Sequence, residues 1–187
     1  MTILDLCSYL GLGATGAVML NLLCGMLISL RYSSVRSWPH RRINLFAVHQ
    51  WTAYAAVALM VTHPAVLILV RKPTFRVIDI LWPFHSPLQP WTNVAGAAAL
   101  YLLLLVFISS LLRMRIGRPL WRKLHYLVYP AAVLLLVHSI LTDPLLKDGH
   151  PDLLDGGKIF VEACVVIGFA ASAARYKLRG TGFRPVR

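Results

Sequence analysis

Long apolar runs separated by short polar connections dominate this chain, and five of the runs stand out. They lie at about residues 9–30, 43–70, 94–113, 119–142 and 158–175 and carry few charges. Each is close to the ~20 residues that cross ~30 Å of hydrocarbon as a helix. A chain in hydrocarbon must satisfy its own backbone hydrogen bonds, so such runs predict helices. The expected fold is an all-α integral membrane protein, a five-transmembrane-helix bundle whose short connections pack neighbouring helices antiparallel. The opening "MTILDLCSYLGLG" has no basic n-region, and the first run is long for a signal-peptide core, so it reads as a span.

One connection departs from the pattern. Residues 71–93, "RKPTFRVIDILWPFHSPLQPWTN", are interrupted by four prolines and cannot span. They predict an outer interfacial loop or short helix, anchored by Trp82 and Trp91 and placed to cap a site from outside. The basic stretch 176–187 predicts a mobile tail. Residues 1–187 thus form a single transmembrane domain.

Composition narrows the class further. With 187 residues and 58 % hydrophobic content, the chain is one domain and not an ordinary soluble one. A net charge of +12 would suggest nucleic acid in a soluble protein, but its placement points to a lipid bilayer instead. Arg31, Arg36, Arg41 and Arg42 follow the first span. Arg113, Arg115, Arg118, Arg122 and Lys123 join the third and fourth, and Arg175, Lys177, Arg179, Arg184 and Arg187 follow the fifth. These are 14 of the 19 basic residues, all on one side, whereas all seven acidic residues fall on the other. The positive-inside rule then sets the N-terminus outside and the C-terminus in the cytoplasm. Cys7, Cys24 and Cys164 show no paired spacing, so neither a disulfide nor a cysteine metal site is expected.

The chemistry lies in the histidines. His40, His85 and His150 fall in connections and read as solvated. His49 and His63 sit in the second span, His125 and His138 in the fourth. Ionisable groups within a bilayer are rare and by default indicate function; hydrogen bonding to a neighbouring helix is the alternative for any one of them. The second and fourth spans run in the same direction. His49 and His125 each lie about six residues in, and the next histidines follow fourteen and thirteen residues later. At 1.5 Å per residue that is about 21 Å and 20 Å. His49 should therefore face His125, and His63 face His138, one pair near each membrane face. Zinc normally takes four protein ligands, or three and water, and neither pair has an evident third. Two neutral imidazoles suit an iron porphyrin, whose macrocycle supplies four equatorial ligands. Its propionates would find Arg41, Arg42, Arg122 and Lys123 near the inner pair and Arg71, Lys72 and Arg76 near the outer. An ideal helix brings His49 and His63 to one face but leaves His125 and His138 ~140° apart. Pro130 between them predicts a distorted fourth helix.

The histidine spacing, with "LWRKLHYLVYPAAVLLLVH" and "WPFHSPLQPW", resembles the ferric reductase-like transmembrane domain family, over about residues 10–178. That family includes the membrane cores of NADPH oxidases and ferric reductases and the membrane partner of bacterial methionine-sulfoxide reductases. The resemblance implies two haem b groups, the inner ligated by His49 and His125 and the outer by His63 and His138. It also implies electron transport across the membrane. Members usually have six helices; this chain lacks a counterpart of their first. No Gly-rich βαβ segment offers a flavin or nicotinamide site. A separate donor and acceptor are therefore expected (a soluble reductase, a quinol or another redox subunit), as in a larger membrane complex. Oxygen-reducing members carry a further histidine where this chain has Leu67. Two other readings compete: a non-redox transporter or scaffold with histidine metal sites, and a single-haem subunit. Transport usually needs polar groups at the midplane, where the second and fourth spans are mainly Ala, Val and Leu.

Overall fold

The computed structural model describes residues 2–30, 44–142 and 156–180, and every described element is helical. α1 spans Ile3–Ser29, starting well before residue 9. A capping box starts it early: Thr2 Oγ1 accepts from the Asp5 amide at 3.1 Å, and Asp5 Oδ2 accepts from the Thr2 amide at 2.6 Å. α2 covers Leu45–Ala65, capped by Asn44, and tightens into a 3-10 turn at Val66–Leu69 just past Pro64. α3 is the short helix Val77–Leu81, followed by a 3-10 turn at Pro83–His85.

α4 runs Pro90–Leu111, so Pro90–Asn93 belong to a helix and not to the preceding loop. Gln89 turns the chain with φ 44°, and Pro90 then occupies the first helical turn, where its missing N–H costs nothing. α5 (Arg113–Ile116) and α6 (Arg118–His125) meet at Gly117, whose φ of 80° is open to glycine without strain. α7 is Val128–Leu141, and α8 is Gly156–Gly180.

The fourth span is thus two helices, α6 and α7, broken at Tyr126–Leu127 immediately after His125. Pro130 provides the cause. Proline has no N–H and its ring crowds the carbonyl four residues back, here that of Tyr126. Leu127 and Tyr129 instead donate to carbonyls three residues back, Leu124 and Tyr126. Such 3-10 steps overwind the chain relative to an α-helix, and the distortion lets His125 and His138 address the same neighbour despite their spacing of thirteen.

α1 packs along α2, and α4 packs along α7, while α2 and α7 are not packed closely on one another. The middle of the bundle is filled by Ala14 and Val18, Ala56 and Met60, Ala99 and Leu103, and Ala131 and Leu135. Each helix contributes one alanine and one larger side chain. Small residues let helices approach in lipid, where van der Waals contact replaces the hydrophobic effect between them. Among the described residues, five helical segments are long and apolar enough to cross a membrane, the fourth being α6 and α7 taken together. Large apolar side chains such as Trp51 and Phe169 point outward, as a lipid-facing surface requires.

Residues 71–89 fold back over the end of the bundle that carries His63 and His138. Phe75, Asp79, Pro83 and Ser86 are buried there, while Trp82 and Trp91 stand exposed. The Arg76 amide donates to Asp79 Oδ2 at 2.9 Å, and its guanidinium adds a further bond. The two together hold the Asp79 carboxyl below the usual carboxylate range. Asn93 Nδ2 donates to Ser86 Oγ and to the Leu88 carbonyl, tying this cover to α4.

Candidate functional site

Two pairs of imidazoles meet between α2 and the α6–α7 unit. The rings of His49 and His125 lie 6.3 Å apart between centres, inclined at 68°. Those of His63 and His138 also lie 6.3 Å apart, at 73°. The pairs are separated along α2 by fourteen residues, about 21 Å, with the alanine-rich layer between them.

One nitrogen of each ring is already satisfied. His49 Nδ1 bonds the Asn21 carbonyl at 3.0 Å, His63 Nδ1 the Cys7 carbonyl at 2.8 Å, and His138 Nδ1 the Thr92 carbonyl at 2.8 Å. A carbonyl only accepts, so Nδ1 carries the proton in these three rings and Nε2 keeps its lone pair. His125 Nδ1 lies 3.3 Å from Ser110 Oγ. That hydroxyl donates its one proton to the Val106 carbonyl at 2.7 Å, so it accepts from His125, and the same tautomer follows. No protein group bonds Nε2 of any of the four among the described residues.

The receptors for these bonds repeat along the packing helices. On α1, Cys7 and Asn21 offer carbonyls fourteen residues apart, matching the spacing of His63 and His49 on antiparallel α2. Each returns a bond through its side chain: Cys7 Sγ to the His63 carbonyl and Asn21 Nδ2 to the His49 carbonyl. Four residues after each carbonyl stands a glycine against the ring. A Cβ at Gly11 would lie 2.9 Å from His63 Cε1, and one at Gly25 would lie 3.3 Å from His49 Cε1. α4 does the same for His138 with Thr92 and Gly96, where a Cβ would stand 2.9 Å from both Cε1 and Nδ1. The reason is steric. A helical carbonyl already accepts from the amide four residues on, so an outside donor must approach across that residue's Cβ position.

A cavity of about 640 Å³ opens around the second pair, lined by His63, His138, Leu67, Phe75, Asn93 and Lys158 among others. Lys158, only 3 % exposed, donates from Nζ to the carbonyls of Ser139, Ile140 and Thr142, the C-terminal end of α7. Beside the first pair, Trp121 lies tilted at 33° against His125 with ring centres 5.1 Å apart. Arg175 reaches the Tyr129 hydroxyl one turn beyond His125, and its Nε is buried with no partner among the described residues.

The other anticipated cations are less involved. Arg122 and Lys123 are exposed on α6, Arg71 is exposed after the 3-10 turn, and Arg76 engages Asp79. Arg41 and Arg42 lie outside the described residues, as do His40 and His150; His85 is exposed.

This donor set tests what the site can hold. No group of three or more His, Cys, Asp or Glu side chains suited to a bare metal ion occurs among the described residues. A metal–imidazole bond is ~2 Å, and the ring centre lies ~1.1 Å beyond the nitrogen. Two such arms on opposite sides of one metal put ring centres about 6–6.5 Å apart. Both pairs fit a metal that brings its own equatorial ligands, as a porphyrin does. A carbonyl behind each ligating imidazole is also the usual outer-shell partner of a metal-bound histidine.

Among known proteins, a family model described as "Ferric reductase like transmembrane component" aligns with residues 12–136, which include His49, His63 and His125. A search of curated proteins and a search of solved structures found no match.

Proposed function

The chain belongs to the ferric reductase like transmembrane component family, and from that premise we propose that it is a dihaem b-type cytochrome carrying electrons across a bacterial-type inner membrane. It is an integral, multi-pass membrane protein of a family of electron-transfer modules. The observation that carries the finer reading is the identical 6.3 Å spacing of the two histidine pairs, each ring fixed at Nδ1 and free at Nε2. Hydrogen bonding between helices alone accounts for Nδ1 and leaves Nε2 without a role.

In this reading His49 and His125 hold a haem toward the cytoplasm, and His63 and His138 hold one toward the outside. Bound haem iron supplies a one-electron ferric–ferrous change, and the chain's residues bind, orient and shield it. Cys7, Asn21 and Thr92 fix the planes of three imidazoles through their carbonyls. Gly11, Gly25 and Gly96 give those rings room. Lys158 places a cation beside the outer cavity while its N–H bonds hold the end of α7. Arg175 offers an unsatisfied N–H near the inner pair and is a partner for propionates alongside Arg71, Arg122 and Lys123. The cover of residues 71–89 limits water at the outer pair. Leu67 on the cavity wall supplies no proton donor, which favours a relay over an oxygen-reducing end. Donor and acceptor are then separate redox partners, and the chain is one subunit of a larger complex.

Purified protein should contain two haem b per chain by the pyridine haemochrome assay, with b-type bands in the reduced-minus-oxidised spectrum. Absence of those bands would end this reading. A ratio of one would support a single-haem subunit instead.

A further inference from the structure

The four histidine receptors are not equivalent, and the odd one singles out a residue. Along α4 the outer receptor is Thr92 with Gly96. Fourteen residues further on, the corresponding positions are Val106 and Ser110. The first three sites set a backbone carbonyl directly on Nδ1 beside a glycine, with Thr142 Oγ1 and Cys7 Sγ as additional, longer neighbours of His138 and His63, whereas the fourth has a serine whose hydroxyl stands between ring and carbonyl. Ser110 Oγ donates to the Val106 carbonyl at 2.7 Å and faces His125 Nδ1 at 3.3 Å. Its second lone pair receives Trp121 Nε1–H, also at 3.3 Å. Both lone pairs and the single proton of the hydroxyl are thereby used. The histidines of α6 and α7 are thirteen apart against fourteen for the α4 positions, so the two ladders drift out of step. The serine hydroxyl spans the gap at this end.

Building on the dihaem reading, we infer that Ser110 is the positioning residue of the inner site, setting the orientation and ligand strength of His125 through its hydroxyl. A hydroxyl at 3.3 Å is a weaker acceptor than a carbonyl at 2.8 Å, so His125 gains less imidazolate character than His138. Outer-shell partners of this kind alter metal affinity by ~10–100-fold and shift haem potentials. Ser110 therefore acts on one haem only.

The test uses the full-length protein with both haems, read by redox titration at the haem bands and by the rate of haem transfer to apomyoglobin. Ser110→Ala removes the acceptor. One haem should then transfer roughly 10–100-fold faster, and its midpoint should rise because a less basic ligand stabilises the ferric form less. The second haem should keep its midpoint and its rate, which also shows that the bundle is folded. Ser110→Thr keeps a hydroxyl able to bond the carbonyl four residues back, as Thr15, Thr52 and Thr62 do here, and should restore wild-type values. Trp121→Phe keeps a ring beside His125 but frees the hydroxyl of the indole bond, leaving Ser110 as the acceptor, and should neither raise a midpoint nor speed haem transfer. The inference is overturned if Ser110→Ala leaves both haems unaltered, if both shift together, or if Trp121→Phe reproduces its effect. A wild-type protein without haem would remove the premise and the inference with it; a wild type with two haems and a silent Ser110→Ala would overturn this inference alone.

Discussion

Alanine at His63 or at His138 should remove one haem, and the same one, leaving a chain with about one haem in place of two. Alanine at His49 or His125 should remove the other. The expectation rests on the ring pairs, since each imidazole faces one partner across 6.3 Å and nothing else among the described residues competes for its Nε2. Losing one imidazole would leave a bound haem with a single protein ligand in a gap that the helices do not close, because α2 and α7 are not packed on each other. Retention of the second haem reports that the bundle survives. Haem content with the midpoint of the remaining haem identifies which site is lost. His63→Ala and His138→Ala variants that retain haems of different midpoint would contradict the pairing.

A single methyl group at Gly96 should be nearly as damaging. Its Cβ would stand 2.9 Å from His138 Cε1 and Nδ1, closer than real Cβ contacts come, and a tight 3.1 Å from Cγ. The imidazole cannot retreat without breaking its 2.8 Å bond to the Thr92 carbonyl. Overpacking of this kind costs ~1–3 kcal/mol, and here the strain falls on a ligand. Gly96→Ala should lower occupancy of the outer haem well below one per chain with the inner one intact. Gly11→Ala should act on the same haem, as its Cβ meets His63 at 2.9 Å, and Gly25→Ala more weakly on the other, at 3.3 Å. Haem quantification across the three variants checks the order, and full occupancy in Gly96→Ala would contradict it.

The histidine ladder was legible in the sequence because helical rise and antiparallel packing convert spacing directly into level. Pro130 announced the break in the fourth span for an equally local reason, although its position at Tyr126–Leu127 follows from the carbonyl that the proline crowds. The receptors were harder to read. Gly11, Gly25 and Gly96 look like ordinary packing residues in apolar spans, and their role depends on which ring crosses them. A fourteen-residue repeat of the carbonyl and glycine positions on α1, matched to the histidine spacing, was the available signal. Ser110 fell outside even that, since the pattern breaks at it. Lys158 follows an acidic connection, and only the tertiary fold brings the end of α7 to its ammonium group. α1 and α4 begin before their apolar runs because local chemistry starts them early, the capping box of Thr2 with Asp5 in one and the turn at Gln89 before Pro90 in the other.

The central claim is passage of electrons from one membrane face to the other, and sealed proteoliposomes test it most directly. With ferricyanide trapped inside and a membrane-impermeant reductant added outside, vesicles holding the dihaem protein should reduce the trapped acceptor. Vesicles with His63→Ala, which keeps only the inner pair, should be slowed to near the protein-free rate. Protein loaded with both haems that reduces no trapped ferricyanide, in vesicles shown to be sealed, would contradict the account.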